Sequence, residues 1–148
     1  MKLFSEKTIN INIAAKNKME AIDEMMNMLL ADGILNNRDR YKQAILQREG
    51  VSNTAIGFGI AIPHAKTDAV NKPRVAVAVS RKGIDFESSD GTLVNLIFMI
   101  AVPNNADDVH LKILAKLSRK LIDSAFRSKL IQTENKQEIL NYLNEIVI

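Results

Sequence analysis

Apolar positions along the chain switch repeatedly between a period near two and a period near 3.6. Residues 8–13 read Thr-Ile-Asn-Ile-Asn-Ile, an alternation that predicts a half-exposed strand. Asn17 then stands where a helix cap belongs, with Glu20 at the position that reaches back. Met19, Ile22, Met25, Met26, Leu29 and Leu30 form the apolar stripe of that helix, and Gly33 ends it. Asn37 caps a second helix running to about residue 49, with Tyr41, Ala44, Ile45 and the stem of Arg48 inward and Gly50 as the stop. A loop of small residues leads to Ile60-Ala61-Ile62, a strand that must end or lie at an edge at Pro63, which has no ladder donor. Residues 75–79 predict a strand, 83–88 a short one, and Ser89-Asp90-Gly91 a turn. Residues 93–102 are apolar apart from Asn95 and predict a central strand covered on both faces.

Pro103-Asn104-Asn105 breaks that strand, and a helix follows from near residue 107 to about 121, with Val109, Ile113, Leu114, Leu117 and Leu121 at helical spacing. Asp123 or Ser124 opens a short helix through Ile131, and Thr133 caps a last one with Ile139, Leu140, Leu143 and Ile146 inward. Helices interspersed with strands predict an α+β (α/β-like) fold: one domain, residues 1–148, with a mixed sheet flanked by helices on both faces.

Composition narrows the function classes. At 148 residues and 47% hydrophobic, the chain can bury a real core, so the methionines at helical spacing read as core filling. The longest apolar stretch, residues 96–102, is far short of the roughly 20 residues of a membrane span. The first six residues turn polar too soon for a secretory signal, and a cytoplasmic protein is expected. The absence of cysteine excludes disulfides, thiolate metal sites and a cysteine nucleophile. A net charge of +3 is spread among interleaved acids, so no basic block marks a nucleic-acid face. It leaves room for a surface suited to an acidic or phosphorylated partner.

The richest chemistry lies in Gly57-Phe58-Gly59-Ile60-Ala61-Ile62-Pro63-His64. A neutral imidazole is a nucleophile near neutral pH. A phosphoryl-accepting histidine needs one bare ring nitrogen, the other held as N–H, and donors placed in advance. Gly57 and Gly59 can take positive φ and expose backbone N–H groups, Pro63 stiffens the approach, and the Arg48 guanidinium can fork onto phosphate oxygens. The glycines are neither a phosphate-binding loop of the Gly-Lys-Ser/Thr type nor a dinucleotide fingerprint. Taken alone, the run equally describes a tight turn before a structural histidine.

His110, the other of the two histidines, falls in the first turn of a predicted helix, where a neutral ring and anions are both favoured. Both histidines leave strand ends, so they can converge on one pocket. A surface histidine on a helix dipole-matched by Asp107 and Asp108 is the plainer alternative. A metal site from His64, His110, Asp107 and Asp108 lacks any spacing that presets metal geometry, and neither metal nor cofactor is called for.

Arg48-Glu49, then Thr54-Ala55-Ile56-Gly57-Phe58-Gly59-Ile60-Ala61-Ile62-Pro63-His64, closely resembles the signature of the enzyme IIA domain of the bacterial phosphoenolpyruvate-dependent sugar phosphotransferase system, fructose/mannitol class. Pro103 and Asp108-Val109-His110-Leu111 resemble the same family at the right distance. The resemblance implies that His64 carries a phosphoryl group on Nε2, that Arg48 sits over it and that His110 assists. It places Glu49, Thr54, Gly57, Gly59 and Pro63 among the binding positions. It also implies a mixed five-stranded sheet, the phosphocarrier HPr as donor, a cysteine of a IIB component as acceptor, and a IIC permease further downstream. IIB and IIC functions are then expected on other polypeptides. Fructose, mannitol and galactitol all stay open as sugars, with a fructose-type system preferred. Related IIA domains also act as regulatory modules that bind targets according to phosphorylation state. Ala55 and Phe58 depart from the family pattern, and an exposed Phe58 would suit a docking surface.

Overall fold

The computed structural model describes residues 2–106 and 108–146. Among the described residues the strands are β1 (Ile9–Asn10), β2 (Ala55–Gly57), β3 (Ile60–Ala61), β4 (His64–Lys66), β5 (Arg74–Ile84) and β6 (Val94–Val102). The α-helices are α1 (Lys18–Ala31), α2 (Arg38–Val51), α3 (Val109–Leu121), α4 (Ser124–Gln132) and α5 (Lys136–Leu143). They form one mixed sheet in the order β1-β5-β6-β3-β2, with β4 also paired to β6. β5 and β6 are antiparallel, β1 runs parallel to β5, and β3 and β4 run parallel to β6.

The sheet is covered on both faces, as the sequence predicts. Ala76, Ala78, Ile97, Met99 and Ala101 face α1 and α2, packing with Ile22, Met25, Met26, Leu29, Tyr41 and Ile45. Val75, Val77, Val79, Leu96, Phe98 and Ile100 face the other way, onto Ile113, Leu117, Phe126, Leu130, Ile139 and Leu143 of α3, α4 and α5. Small residues on one side of β5 and branched ones on the other reflect the period-2 alternation of strand side chains.

The strand count exceeds the expected five by one, and Pro63 is the reason. Ile60 and Ala61 pair with Leu96 and Ile97, and His64 pairs with Ile100, so the offset along β6 never changes. β3 and β4 are one extended run in which Pro63 withholds a single donor. Pairing therefore resumes beyond Pro63 instead of ending there.

Other expectations are corrected locally. Residues 8–13 do not form one strand: Thr8 belongs to a 3-10 turn, Glu6–Thr8, capped by Ser5, and the Asn10 side chain accepts from Asn12 N and bends the chain after two strand residues. Met19 and Leu30 are exposed, because at about 100° per residue they fall on the margin of the stripe centred on Ile22, Met25 and Leu29. Gly50 does not stop α2, which continues to Val51 without positive φ at the glycine. Residues 83–88 are not a separate strand, since Gly83 and Ile84 complete β5 after an irregularity. Asn135, not Thr133, caps α5 by accepting from Gln137 N, while the Thr133 hydroxyl donates to Glu138. No helix of the described residues is long and apolar enough to cross a membrane.

Candidate functional site

The site lies where the parallel strands β4 and β6 approach their C-terminal ends, a usual place for ligands in open sheets. Tyr41 sets its geometry. Its buried hydroxyl donates to the carbonyl of Ile100, the residue in register with His64. Burial pushes the Tyr41 pKa up, which keeps it a donor. Arg48 follows two turns later on the same face of α2, so the anchor at Tyr41 delivers the guanidinium to His64. Arg48 Nε lies 3.2 Å from His64 Nε2, and its Nη1 donates to the Ser52 carbonyl at 2.9 Å, closing the helix end.

His64 has a defined tautomer. Its Nδ1 is 2.8 Å from the Ile62 carbonyl, which can only accept, so Nδ1 carries the proton and Nε2 keeps the lone pair. That carbonyl is free because of where β2 begins. An extended residue directs its N–H and C=O to the same edge. Ile62 N donates to Thr54 O on the β2 side, but β2 itself spans only Ala55–Gly57 and leaves Ile62 O without a strand partner. Burial lowers the His64 pKa, the Ile62 bond opposes this, the Arg48 charge lowers it further and Glu49 raises it.

His110, in the first turn of α3, meets His64 edge-on, with ring centroids 4.9 Å apart and planes at 67°. Its pKa falls to about 4, first through burial and then through the charges of His64, Lys66 and Arg48. Its Nε2 is buried without a hydrogen-bond partner among the described residues. A cleft of about 550 Å³ opens over the pair, lined by Arg48, Lys66, Gln47, Val51, Leu111 and Leu114 among others, with no carboxylate in the lining among the described residues. Val51 is 80% exposed and Leu111 69%, so the rim is apolar and the floor cationic. Such a cleft holds a neutral, nucleophilic imidazole beside donors suited to an anion.

The other predicted positions take different places. Glu49 turns away: its carboxylate holds Lys18 Nζ at 2.8 Å and accepts from the Thr54 backbone and hydroxyl. Glu49 and Thr54 thus brace the start of β2 and touch no imidazole atom. Gly57 and Gly59 shape a hairpin between β2 and β3, with φ of 90° and 74°. Gly59 sits five extended residues from His64, about 16 Å at strand spacing, so these N–H groups do not reach the imidazole. A Cβ at Gly59 would lie 2.9 Å from Asn95 Oδ1, so the glycine serves close packing. Pro63 is buried, and its carbonyl accepts from Ile100 N. Phe58 is 68% exposed, with the Arg127 guanidinium 4.8 Å above its ring. Asp108 occupies the cap position of α3 without a side-chain cap bond, and Asp107 lies outside the described residues. Sequence reasoning missed Lys66, although its spacing of two from His64 on a strand is the signal that finds it.

Comparison with known proteins gives the chain a family. Residues 2–146 match the family described as "Phosphoenolpyruvate-dependent sugar phosphotransferase system, EIIA 2". The PTS system fructose-specific EIIABC component of Bacillus subtilis is 44% identical over 143 residues, covering 97% of this chain; the chain spans 22% of that longer protein. The crystal structure of nitrogen regulatory protein IIA-Ntr from Neisseria meningitidis superposes with a TM-score of 0.87 at 27% identity, covering 95% of this chain and 96% of that one. Enzyme IIA of the mannitol system, in its Escherichia coli complex with phosphorylated enzyme IIB, gives a TM-score of 0.83 at 28% identity over 97% of this chain and 99% of that one. The family match over residues 2–146, with these relatives, identifies the chain as a member of the EIIA 2 family of the phosphoenolpyruvate-dependent sugar phosphotransferase system.

Proposed function

We propose that this EIIA domain is a cytoplasmic phosphocarrier that takes a phosphoryl group onto His64 Nε2 and passes it to a IIB component. The observation that carries the reading is the fixed tautomer: Nδ1 is tied to Ile62 O, and Nε2 faces a cationic cleft. The donor is the phosphohistidine form of HPr. Its P–N bond breaks as the Nε2–P bond forms. Arg48 Nε occupies the Nε2 lone pair at rest, so the guanidinium must turn aside, and the arriving phosphoryl oxygens are what draw it over. His110 stays neutral and holds its ring edge-on against His64.

The acceptor is a cysteine of IIB. The mannitol IIA, whose solved complex holds phosphorylated IIB, and the fused EIIABC relative support this assignment. The fructose-specific name of that relative favours a fructose-type system, with a IIC permease acting downstream. Incubation with phosphoenolpyruvate, enzyme I and HPr should add one phosphoryl group, and His64→Ala should abolish it. Label persisting in that variant removes His64 from the role. The likeness to a nitrogen regulatory IIA supports a second reading, a regulator whose contacts follow its phosphorylation state. Charging without discharge to any fructose- or mannitol-class IIB favours the regulator.

A further inference from the structure

The phosphocarrier reading leaves one side chain of the cleft without a task. Lys66 lies two residues beyond His64 on β4, so both side chains leave the same face of the strand. It lines the cleft together with His64, His110 and Arg48, and it is exposed. Among the described residues it enters no ion pair. Its charge is nevertheless felt across the cleft, where it helps lower the His110 pKa. Glu49, the carboxylate adjoining Arg48 in sequence, is held by Lys18 and Thr54, and its influence on His64 is smaller than that of the Arg48 charge.

A phosphoryl group near neutral pH carries about −1.5 to −2 charges on three outward oxygens. The ring that bears it keeps its Nδ1 proton, because a backbone carbonyl cannot take that proton away. With both nitrogens substituted, that ring carries a positive charge of its own, held toward Nδ1 and the Ile62 carbonyl; Arg48 is the cation that reaches the oxygens, and neutral His110 supplies none. A guanidinium fork engages two of the three phosphoryl oxygens and leaves the third without a cationic partner. We propose that Lys66 is the second counter-cation of the phosphorylated site, closing over the phosphoryl oxygen that Arg48 does not fork. The proposal rests on the phosphocarrier reading and adds to it a group that reaches the transferred atoms. A flexible ammonium suits the task, because it can follow the phosphoryl group as it arrives and departs.

The test uses the full chain and phosphoramidate, a small donor that needs no protein partner. The His64 Nε2 lone pair forms the new bond to phosphorus, and ammonia leaves with both electrons of the donor's broken P–N bond. Lys66→Met should slow labelling of His64 about tenfold, the effect of one nearby charge at an intermediate dielectric. The ³¹P titration midpoint of the bound phosphoryl group should move to higher pH, since its dianion loses a partner. Lys66→Arg should restore both readouts to near wild type, which a merely structural role would not require. Thermal unfolding should be unchanged in either variant, as the side chain is exposed. Equal rates and equal midpoints in wild type and Lys66→Met overturn this inference alone. A wild-type chain that takes no phosphoryl group at His64 overturns the phosphocarrier reading and this one with it.

Discussion

Two imidazoles in edge contact share one electrostatic problem: neither can be protonated without facing the Arg48 charge, and burial disfavours the charged form of both. The consequence for stability follows from linkage. Both histidines have folded pKa values below the ordinary 6.5, so the unfolded chain binds protons first as pH falls. Their contribution is complete above pH 6.5 and shrinks as pH drops toward the His110 value of about 4. Urea midpoints should therefore fall between those limits, and His110→Ala should flatten part of the decline. An identical pH profile in the variant would mean that His110 is not shielded. At this scale the sequence was most legible where a residue's chemistry is unusual. His64, Arg48 and His110 are named by type and spacing, and the structure brings them together. Lys66 escaped because a lone lysine on a strand is ordinary until its neighbour is known. Gly57 and Gly59 were misplaced because positive φ is readable from sequence, whereas the distance of a turn from a histidine depends on strand length.

Among the elements, the β2–β3 hairpin holds the clearest conflict between local preference and observed structure. Phe58 and Gly59 both have positive φ, 58° and 74°, as a tight primed turn requires. Glycine takes that conformation freely, but a bulky side chain loses about 1–2 kcal/mol there. The Arg127 guanidinium over the Phe58 ring returns about 0.5–1 kcal/mol at an exposed site. The left-handed cost is the larger of the two, so Phe58→Asn, which restores a favoured Asn-Gly turn, should raise stability by about 0.5 kcal/mol in urea unfolding. A lower stability would show that the Arg127 contact outweighs the backbone strain. This hairpin was invisible in the sequence for the same reason: the dipeptide does not advertise a primed turn. The helices were more legible. Asn17, Asn37 and Asp123 cap as read, each accepting from the amide of a residue in the first turn.

For the molecule as a whole, β6 is the shared wall of two cores, so damage to it is not confined to one side. Phe98 is fully buried on the α3–α5 face, and its neighbours Ile97 and Met99 are fully or almost fully buried on the other. Phe98→Ala should cost about 3–5 kcal/mol and still give a single denaturant transition, monitored by circular dichroism. Two separated transitions would mean that the faces melt independently. This layered plan was readable from the interspersed helices and strands and from the nearly unbroken apolar run of residues 93–102. The sixth strand was not, because a proline reads as a terminus when its neighbours carry the ladder past it. The main-chain clasp on His64 has a last consequence. Any amino acid at position 62 still presents a peptide oxygen there, so substitution can alter the company the ring keeps but not which nitrogen it offers. The ring's regiochemistry is inherited from the backbone path, and only a change in the length of that short stretch would revoke it.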